Sequence, residues 1–417
     1  MNPEPIKPKR TPVRIVPLVL LLLVFVTLGV TVGLGHKTDA DETQYHMPAT
    51  LQYMQQFPHL DLKDYHSASG PFPYVLLSFW ARIFGPGMLS LRVAIMIFGM
   101  LSLVVLWRLM NDESLGTQLL VTLFVFFHPY FLFRSFSLYT VAPATFFGLL
   151  SLLLFRQYQT GSRKLLVLFA YVLSASAAVL SRQEFLSYPL GVAIFALASK
   201  IPWAGRVFPQ KTRYSYSSLA LMFVPVVLLG LLILYWGGSN PPRFAGYFKS
   251  GPIFRQLDFV FLFLGFWYWP LFLDNIKLVP KWLFVVAFVI GIHLFFVPLH
   301  RASAAEGGMG VVGAVYTWLI NLNFPLSLLK ATQFIVWLIG VMVFSIIVRR
   351  RSEAYALIAV LHFLIMLSIP FVWERFYFAA FPAVWFAVRG DIHNRKLYVP
   401  LVIIQVVLSI QYFVTHI

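Results

Sequence analysis

The stretch VRIVPLVLLLLVFVTLGVTVGLG, residues 13–35, is followed three residues later by DADETQYHMPATLQYMQQF, residues 39–57. An apolar run of about 20 residues is long enough to cross the hydrocarbon core of a bilayer as an α-helix. This run is too long for the apolar region of a signal peptide, and no small-residue cleavage site follows it. Cations lie before it or at its start, so we expect a retained first span with a cytoplasmic N-terminus; they are Lys7, Lys9, Arg10 and Arg14.

Similar apolar runs recur along all 417 residues, of which 59% are hydrophobic and only 11% charged. Soluble domains average about 25% charged residues, so the composition indicates an integral membrane protein. The alternating segments of about 10 residues that mark membrane β-barrels are absent, which leaves helices. The sequence therefore predicts an all-α polytopic membrane protein, one membrane-embedded domain of about 12–14 transmembrane helices over residues 1–417.

The net charge of +17 comes from short clusters of Lys and Arg between the apolar runs. Such clusters mark cytoplasmic loops and meet anionic lipid, so they do not indicate a nucleic-acid partner. The chain has no cysteine, which excludes disulfides and thiol chemistry. No group of His, Asp and Glu has the spacing of metal ligands, and we expect no cofactor; weak Mg²⁺ or Ca²⁺ binding through the oxygens of residues 39–42 is the alternative.

Residues 36–70 form the main external loop, because they hold five of the fifteen acidic residues. Further apolar segments follow over 71–199 and 200–417. Four apolar segments between residues 71 and 155 cannot connect an external loop at 70 to a basic, cytoplasmic loop at 156. One of them must be split or re-entrant, either 115–134, broken at His128–Pro129, or the short segment 71–86.

Three carboxylates, Asp39, Asp41 and Glu42, lie within four residues directly after the first span. If a helix starts at Glu42, Asp41 is its N-cap and Glu42 a first-turn acid stabilised by the helix dipole. The alternative is catalytic: one carboxylate takes a proton from an acceptor hydroxyl while its neighbour orients the substrate. Tyr45 and His46 follow on or beside one face of that helix and are candidate substrate-binding residues.

Cations on the external side break the usual charge bias, and a phosphate group would explain them, since the arginine fork binds two phosphate oxygens at once. The alternatives are interfacial ion pairs and ordinary solvated loops. The candidate residues for phosphate or sugar are His66, Arg182, Gln183, Glu184, Arg243, Arg301, Glu374 and Arg375. Arg92, inside a span, is expected to pair or to line a cavity.

Several of these stretches resemble a known family. The pattern D-E-x-x-Y, formed by Asp41, Glu42 and Tyr45, resembles the acidic motif in the first external loop of GT-C glycosyltransferases. DETQYHMPATLQY, residues 41–53, is similar to D-E-I-F-H-x-P-Q-A-Q-x-Y of the dolichyl-phosphate-glucose α-1,2-glucosyltransferase family. Further stretches resemble that family's motifs in the same order: SGPFPY at 69–74, LRVAI at 91–95, HPYFLFRSFSLYT at 128–140 and SRQEFL at 181–186.

The resemblance covers the first half of the chain. Aligned on the acids, Asp41 and Glu42 match the family's pair; aligned on His46, the family's Asp falls on Glu42, so either residue can be the base. Val141 replaces an acid of the family, and the family's C-terminal motif is missing.

The resemblance implies a GT-C-like helical bundle with short juxtamembrane helices in the first external loop, core helices over 71–199 and more variable helices over 200–417. It also implies an inverting hexosyltransferase that moves a sugar from a polyprenyl-phosphate donor to a lipid-linked or glycan acceptor. We place such an enzyme at the outer face of a bacterial inner membrane, where envelope glycans are made. The rivals are a flippase or transporter of lipid-linked sugars and a non-catalytic scaffold. The concentration of acids in one external loop favours chemistry over proton-coupled transport, which needs acids deep in the spans.

Overall fold

The computed structural model describes residues 15–161, 165–201, 214–247, 253–296, 310–350, 353–367 and 374–416, and every regular element in this part of the chain is helical. Six helical segments in these ranges have at least 18 residues and are apolar enough to cross a membrane, and the first of them, Ile15–Gly33, includes a π-helical turn at its end. The predicted class, an all-α polytopic membrane protein, is therefore confirmed.

The helices occur in the following order. They are α1 (Ile15–Leu28), α2 (Met47–Gln56), α3 (Phe72–Phe84), α4 (Met88–Leu109), α5 (Leu115–Phe126), α6 (Pro129–Arg134), α7 (Val141–Gln159), α8 (Leu165–Ser181), α9 (Ser187–Ala198), α10 (Tyr216–Trp236), α11 (Ile253–Asp274), α12 (Lys281–Gly291), α13 (Gly310–Asn321), α14 (Leu326–Arg349), α15 (Ala354–Met366), α16 (Glu374–Tyr377), α17 (Phe381–Val388) and α18 (Val399–His416).

Two groups of loops define the two ends of the bundle. The basic end is tied together by ion pairs: Arg156 pairs with Asp112, and Arg389 lies 3.0 Å from carboxylate oxygens of both Glu113 and Glu353. The opposite, acidic end carries the loop 36–70. The observed ends thus separate the basic loops from the acidic loop, as the charge pattern predicts.

Four apolar segments between residues 71 and 155 can connect loops at opposite ends because one of them, helix α3, does not cross: both of its ends lie at the acidic end. Near its start Tyr74 contacts His46, and near its end Arg82 donates to the backbone oxygen of Met54 in α2. The segment 71–86 is therefore the one that does not cross. The segment packs along α2 at this end.

The break at His128–Pro129 is also present, but it lies within a single pass. Ser114, just before α5, accepts from Arg395 at the basic end, and Arg134, at the end of α6, pairs with Asp39 at the acidic end. Proline has no N–H and is favoured in the first turn of a helix, which is why α6 restarts at this residue.

Close backbone contact holds α11 against α14. A Cβ on Gly265 would lie 1.8 Å from the oxygen of Val336, and one on Gly340 would lie 1.7 Å from the oxygen of Phe261. Small residues allow helices to approach closely where apolar burial between helices gains little in lipid.

Candidate functional site

Helical backbone in the acidic loop begins at Ala40 and continues through a π-helical turn, Glu42–His46, into α2. Asp41 has helical φ and ψ and makes no side-chain cap hydrogen bond, so the N-cap is Asp39 rather than Asp41, the residue that the capping alternative named. The carboxylate of Asp39 accepts from the N–H of Glu42 at 2.9 Å, and Glu42 Oε2 accepts from the N–H of Asp39 at 3.2 Å. This reciprocal pair is a capping box, in which the residue three positions after the cap reaches back to it. Asp41 lies between the two partners, in the first turn.

Glu42 is fully buried and is held by two hydrogen bonds from one guanidinium. Arg92 Nε lies 2.9 Å from Oε1 and Nη2 lies 2.6 Å from Oε2, while the N–H of Leu138 donates to Oε1 at 2.6 Å. Burial alone would raise the pKa of Glu42, but the bonds from His36, Arg92 and Leu138 outweigh it and hold this pKa well below its usual range. Glu42 therefore stays ionised, and Arg92 pairs as expected.

Asp39 and Asp41 converge on the hydroxyl of Tyr139. The phenol oxygen lies 2.9 Å from Asp39 Oδ2 and 2.8 Å from Asp41 Oδ2. Arg134 Nη1 donates to the same oxygen of Asp39 at 2.9 Å, and its guanidinium carbon lies 3.6 Å from the centre of the Tyr139 ring. The two acids and the two residues from the α6–α7 region thus form one cluster.

His46 lies beside this cluster. Its Nδ1 lies 2.7 Å from the hydroxyl of Tyr74, which lies 2.6 Å from Ser67 Oγ, and its ring centre lies 4.6 Å from that of Tyr139. Burial lowers the pKa of His46 to about 4, although the charge of Asp41 works in the opposite direction. His46 is therefore uncharged at neutral pH.

Arg182 lies on the other side, in the turn between α8 and α9. It is buried, pairs with Glu184, and its Nη1 lies 3.4 Å from Thr140 Oγ1, the residue after Tyr139. Its guanidinium carbon is 5.7 Å from the centre of the Phe376 ring, which places α16 at the same end. An arginine that is fixed in this way at the acidic end is suited to bind a phosphate.

The close fit of Gly70 joins this turn to the acidic loop. The N–H of Gly70 donates to the oxygen of Ser181 at 3.2 Å, and a Cβ at Gly70 would lie 2.1 Å from the oxygen of Leu180. Only glycine permits this approach, so the end of the acidic loop is held close to the turn that carries Arg182.

Other predicted residues lie at the periphery of the same end. Gln183 Nε2 lies 3.3 Å from the oxygen of Ala68, and Arg243 Nη1 lies 3.3 Å from His66 Nε2. The Tyr45 ring centre is 5.8 Å from that of Phe244. Arg301 lies outside the described residues, and of Glu374 and Arg375 only the helical backbone is described.

Sequence reasoning missed Arg134 and Tyr139. Both lie in HPYFLFRSFSLYT, residues 128–140, which resembles a motif of the family but contributed no residue to the predicted site. The signal was an arginine at the end of an apolar run, which needs a partner in a membrane protein. That the partner is Asp39 follows only from the fold.

Among the described residues, no group of three or more His, Asp and Glu could hold a metal ion. The weak Mg²⁺ or Ca²⁺ alternative would use oxygens of residues 39–42, among which Oδ2 of Asp39 and Oδ2 of Asp41 contact Tyr139.

Comparisons with known proteins give likenesses at low identity. No protein-family model matches the sequence, and no curated protein matches it. ArnT from Cupriavidus metallidurans bound to undecaprenyl phosphate has 13% identity and a TM-score of 0.42 over 90% of this chain and 78% of its own. The apo state of that protein has 13% identity and a TM-score of 0.41, over 90% of this chain and 77% of its own. The apo form of the oligosaccharyltransferase from Archaeoglobus fulgidus has 15% identity and a TM-score of 0.48, over 95% of this chain and 56% of its own.

Proposed function

We propose that the chain is a membrane glycosyltransferase that moves a sugar from a polyprenyl-phosphate donor to the hydroxyl of a lipid-linked or glycan acceptor. The site lies at the acidic end, which faces the outside of a bacterial inner membrane. The observation that carries the proposal is that Tyr139 and Thr140, consecutive in the chain, contact a half-buried carboxylate, Asp41, and a buried arginine, Arg182, respectively.

The three neighbouring acids have different roles because their partners differ. Glu42 is enclosed by Arg92 and the N–H of Leu138, so it shapes the loop. Asp39 caps the helix and pairs with Arg134. Asp41 is partly accessible and contacts the hydroxyl of Tyr139, and this accessibility favours it as the base.

The reaction is a single in-line displacement. Asp41 takes the proton of the acceptor hydroxyl as that oxygen bonds to the anomeric carbon of the sugar. The bond between this carbon and the phosphate oxygen breaks, and its electron pair leaves with the polyprenyl phosphate. Arg182 donates to the oxygens on which this charge develops, and one displacement inverts the anomeric centre.

The experiment uses the purified full-length protein in lipid nanodiscs with a panel of radiolabelled polyprenyl-phosphate sugars. We expect release of polyprenyl phosphate only when an acceptor is present, with the opposite anomeric configuration in the product. The same panel in sealed vesicles tests the flippase alternative. Movement of intact donor between leaflets, without release of polyprenyl phosphate under any acceptor, would contradict the proposal and support transport.

A further inference from the structure

The hydrogen bonds behind His46 determine which of its two ring nitrogens carries the proton. His46 Nδ1 lies 2.7 Å from the hydroxyl oxygen of Tyr74, and that oxygen lies 2.6 Å from Ser67 Oγ. Because the imidazole is uncharged, one of its nitrogens is an N–H donor and the other is an acceptor. The protons in this row of groups can point in two directions, and the two directions give His46 opposite tautomers.

Only one of these directions gives every hydroxyl proton an acceptor. Ser67 Oγ already accepts from the N–H of Ser69 at 3.1 Å, and among the described residues the hydroxyl of Tyr74 is the one acceptor for its own proton. If Tyr74 donated to Ser67, the proton of Ser67 would have no acceptor, although this side chain is almost completely buried. A buried polar group without a partner destabilises the fold. Ser67 therefore donates to Tyr74, and Tyr74 donates to His46 Nδ1.

This direction leaves the proton of the ring on Nε2. In the described part of the chain Nε2 has no hydrogen-bond partner, although His46 is more than nine-tenths buried. Nε2 is also not one of the unpartnered polar atoms that the fold seals off from solvent. An N–H donor thus faces the small opening that remains beside this ring.

The opening belongs to the candidate site. The ring centre of His46 lies 4.6 Å from that of Tyr139, whose hydroxyl contacts two of the acids. Burial has the largest effect on the pKa of His46, and four charged side chains of the site also act on it; they are Asp41, Arg182, Arg134 and Asp39. His46 is therefore an uncharged group among these four charges.

We infer that His46 binds substrate through Nε2–H, as a neutral donor to one substrate oxygen, and that Tyr74 and Ser67 are positioning residues that hold this tautomer. The inference rests on the proposed function, in which Asp41 and Arg182 act on the acceptor hydroxyl and on the donor phosphate. Both of these groups offer an oxygen lone pair. Because His46 is uncharged, it orients such an oxygen without forming an ion pair with Asp41.

The first test is nitrogen NMR of the full-length protein, labelled with ¹⁵N-histidine, in lipid nanodiscs without substrate. The signals of His46 are those that disappear in His46→Gln. We expect a neutral ring with the proton on Nε2 and with Nδ1 as a hydrogen-bonded acceptor. In Tyr74→Phe the Nδ1 signal should move to the position of a nitrogen lone pair without a hydrogen bond.

Tyr53→Phe is the matched control for Tyr74→Phe. Tyr53 is a fully buried phenol whose ring centre lies 6.4 Å from that of Tyr74, and its hydroxyl makes no hydrogen bond with the described residues. Both nitrogen signals of His46 should stay unchanged in this variant.

The second test compares His46→Asn with His46→Gln, because a glutamine amide reaches close to the position of Nε2 and an asparagine amide only to that of Nδ1. We expect His46→Asn to weaken binding of polyprenyl phosphate, or to raise the KM for the acceptor, by about fivefold to tenfold, the scale of one hydrogen bond. His46→Gln should retain most of this binding. Weaker binding of polyprenyl phosphate assigns the bonded oxygen to the phosphate, and a raised acceptor KM alone assigns it to the acceptor hydroxyl.

A proton on Nδ1 in the wild type would overturn the inference, and so would His46→Asn with unchanged binding and unchanged acceptor KM. An Nδ1 signal that stays in place in Tyr74→Phe would overturn the role of Tyr74. If the proton is on Nε2 and His46→Asn binds polyprenyl phosphate more weakly, but the wild type transfers no sugar, the proposed function fails and the donor role of His46 stands.

Discussion

At the scale of single residues, three adjacent carboxylates acquire different properties from their contacts. The sequence predicted that Asp39, Asp41 and Glu42 form a site and left open which of Asp41 and Glu42 is the base. It could not assign the cap correctly, because a capping box can start at either Asp39 or Asp41 until the helix start is known. The partner of Glu42, Arg92, is fifty residues away in the chain.

Glu42→Gln should destabilise the protein strongly, because it leaves the Arg92 charge buried without its carboxylate partner. Removing one member of a buried ion pair costs about 3–5 kcal/mol. Glu353→Gln, at the partly exposed pair with Arg389, should cost less than about 1 kcal/mol and is the matched control. Thermal unfolding in detergent measures both variants, and equal losses would contradict the assigned role of Glu42.

His46 predicts a dependence of stability on pH. Its pKa in the folded protein is about 4, against an unperturbed value of about 6.5. Because the unfolded chain binds the proton more readily, stability should be complete above about pH 6.5 and fall as the pH decreases toward 4.

Unfolding temperatures of the wild type and His46→Asn across this range measure that effect. The variant should lose less stability on acidification, whereas His59→Asn, at an exposed position of the same loop, should follow the wild type. A wild-type slope that persists in His46→Asn would contradict a buried, neutral His46.

At the scale of helices and loops, hydropathy predicted which segments are helical but not the path of each one. The sequence recognised that one segment between 71 and 155 does not cross, and it named two candidates. Choosing α3 required the contacts of Arg82 and Tyr74 with the first loop, which join residues 28 positions apart. Tertiary packing of this kind is not encoded in the length or hydropathy of a segment.

Gly70→Ala tests the junction between the loop and Arg182. The added methyl group would lie 2.1 Å from the oxygen of Leu180, so the loop end must move away from the turn that carries Arg182. We expect transfer to fall about tenfold or more, since displacements near 1 Å can cost up to about a hundredfold. In Gly35→Ala, where nothing lies within 4 Å of the new methyl group, transfer should be unchanged. Full activity of Gly70→Ala would contradict the proposed role of this contact in positioning the loop end relative to Arg182.

At the scale of the whole molecule, charge separates the two ends of the bundle. The predicted all-α membrane class is confirmed in the described residues, and the basic loops and the acidic loop lie at opposite ends. Which end faces the cytoplasm follows from the excess of Lys and Arg in the basic loops and is part of the proposal.

Single-cysteine labelling tests this orientation cleanly, because the chain has no cysteine. His59→Cys places a thiol at the acidic end, and Lys277→Cys places one in the exposed link after α11 at the basic end. A membrane-impermeant maleimide should label the first in intact cells and the second only after permeabilisation. The reverse pattern would place the site in the cytoplasm.

Sugar transfer, as proposed, depends on the Asp41 carboxylate as its general base. The most direct measurement is acceptor-dependent release of polyprenyl phosphate by Asp41→Asn, compared with Asp61→Asn, an exposed acid of the same loop whose backbone hydrogen bonds an asparagine can keep. We expect a loss of about 10²–10⁴-fold in Asp41→Asn, the usual contribution of a general base, with donor binding retained and no loss in the control. Near-normal release by a folded Asp41→Asn protein would contradict it.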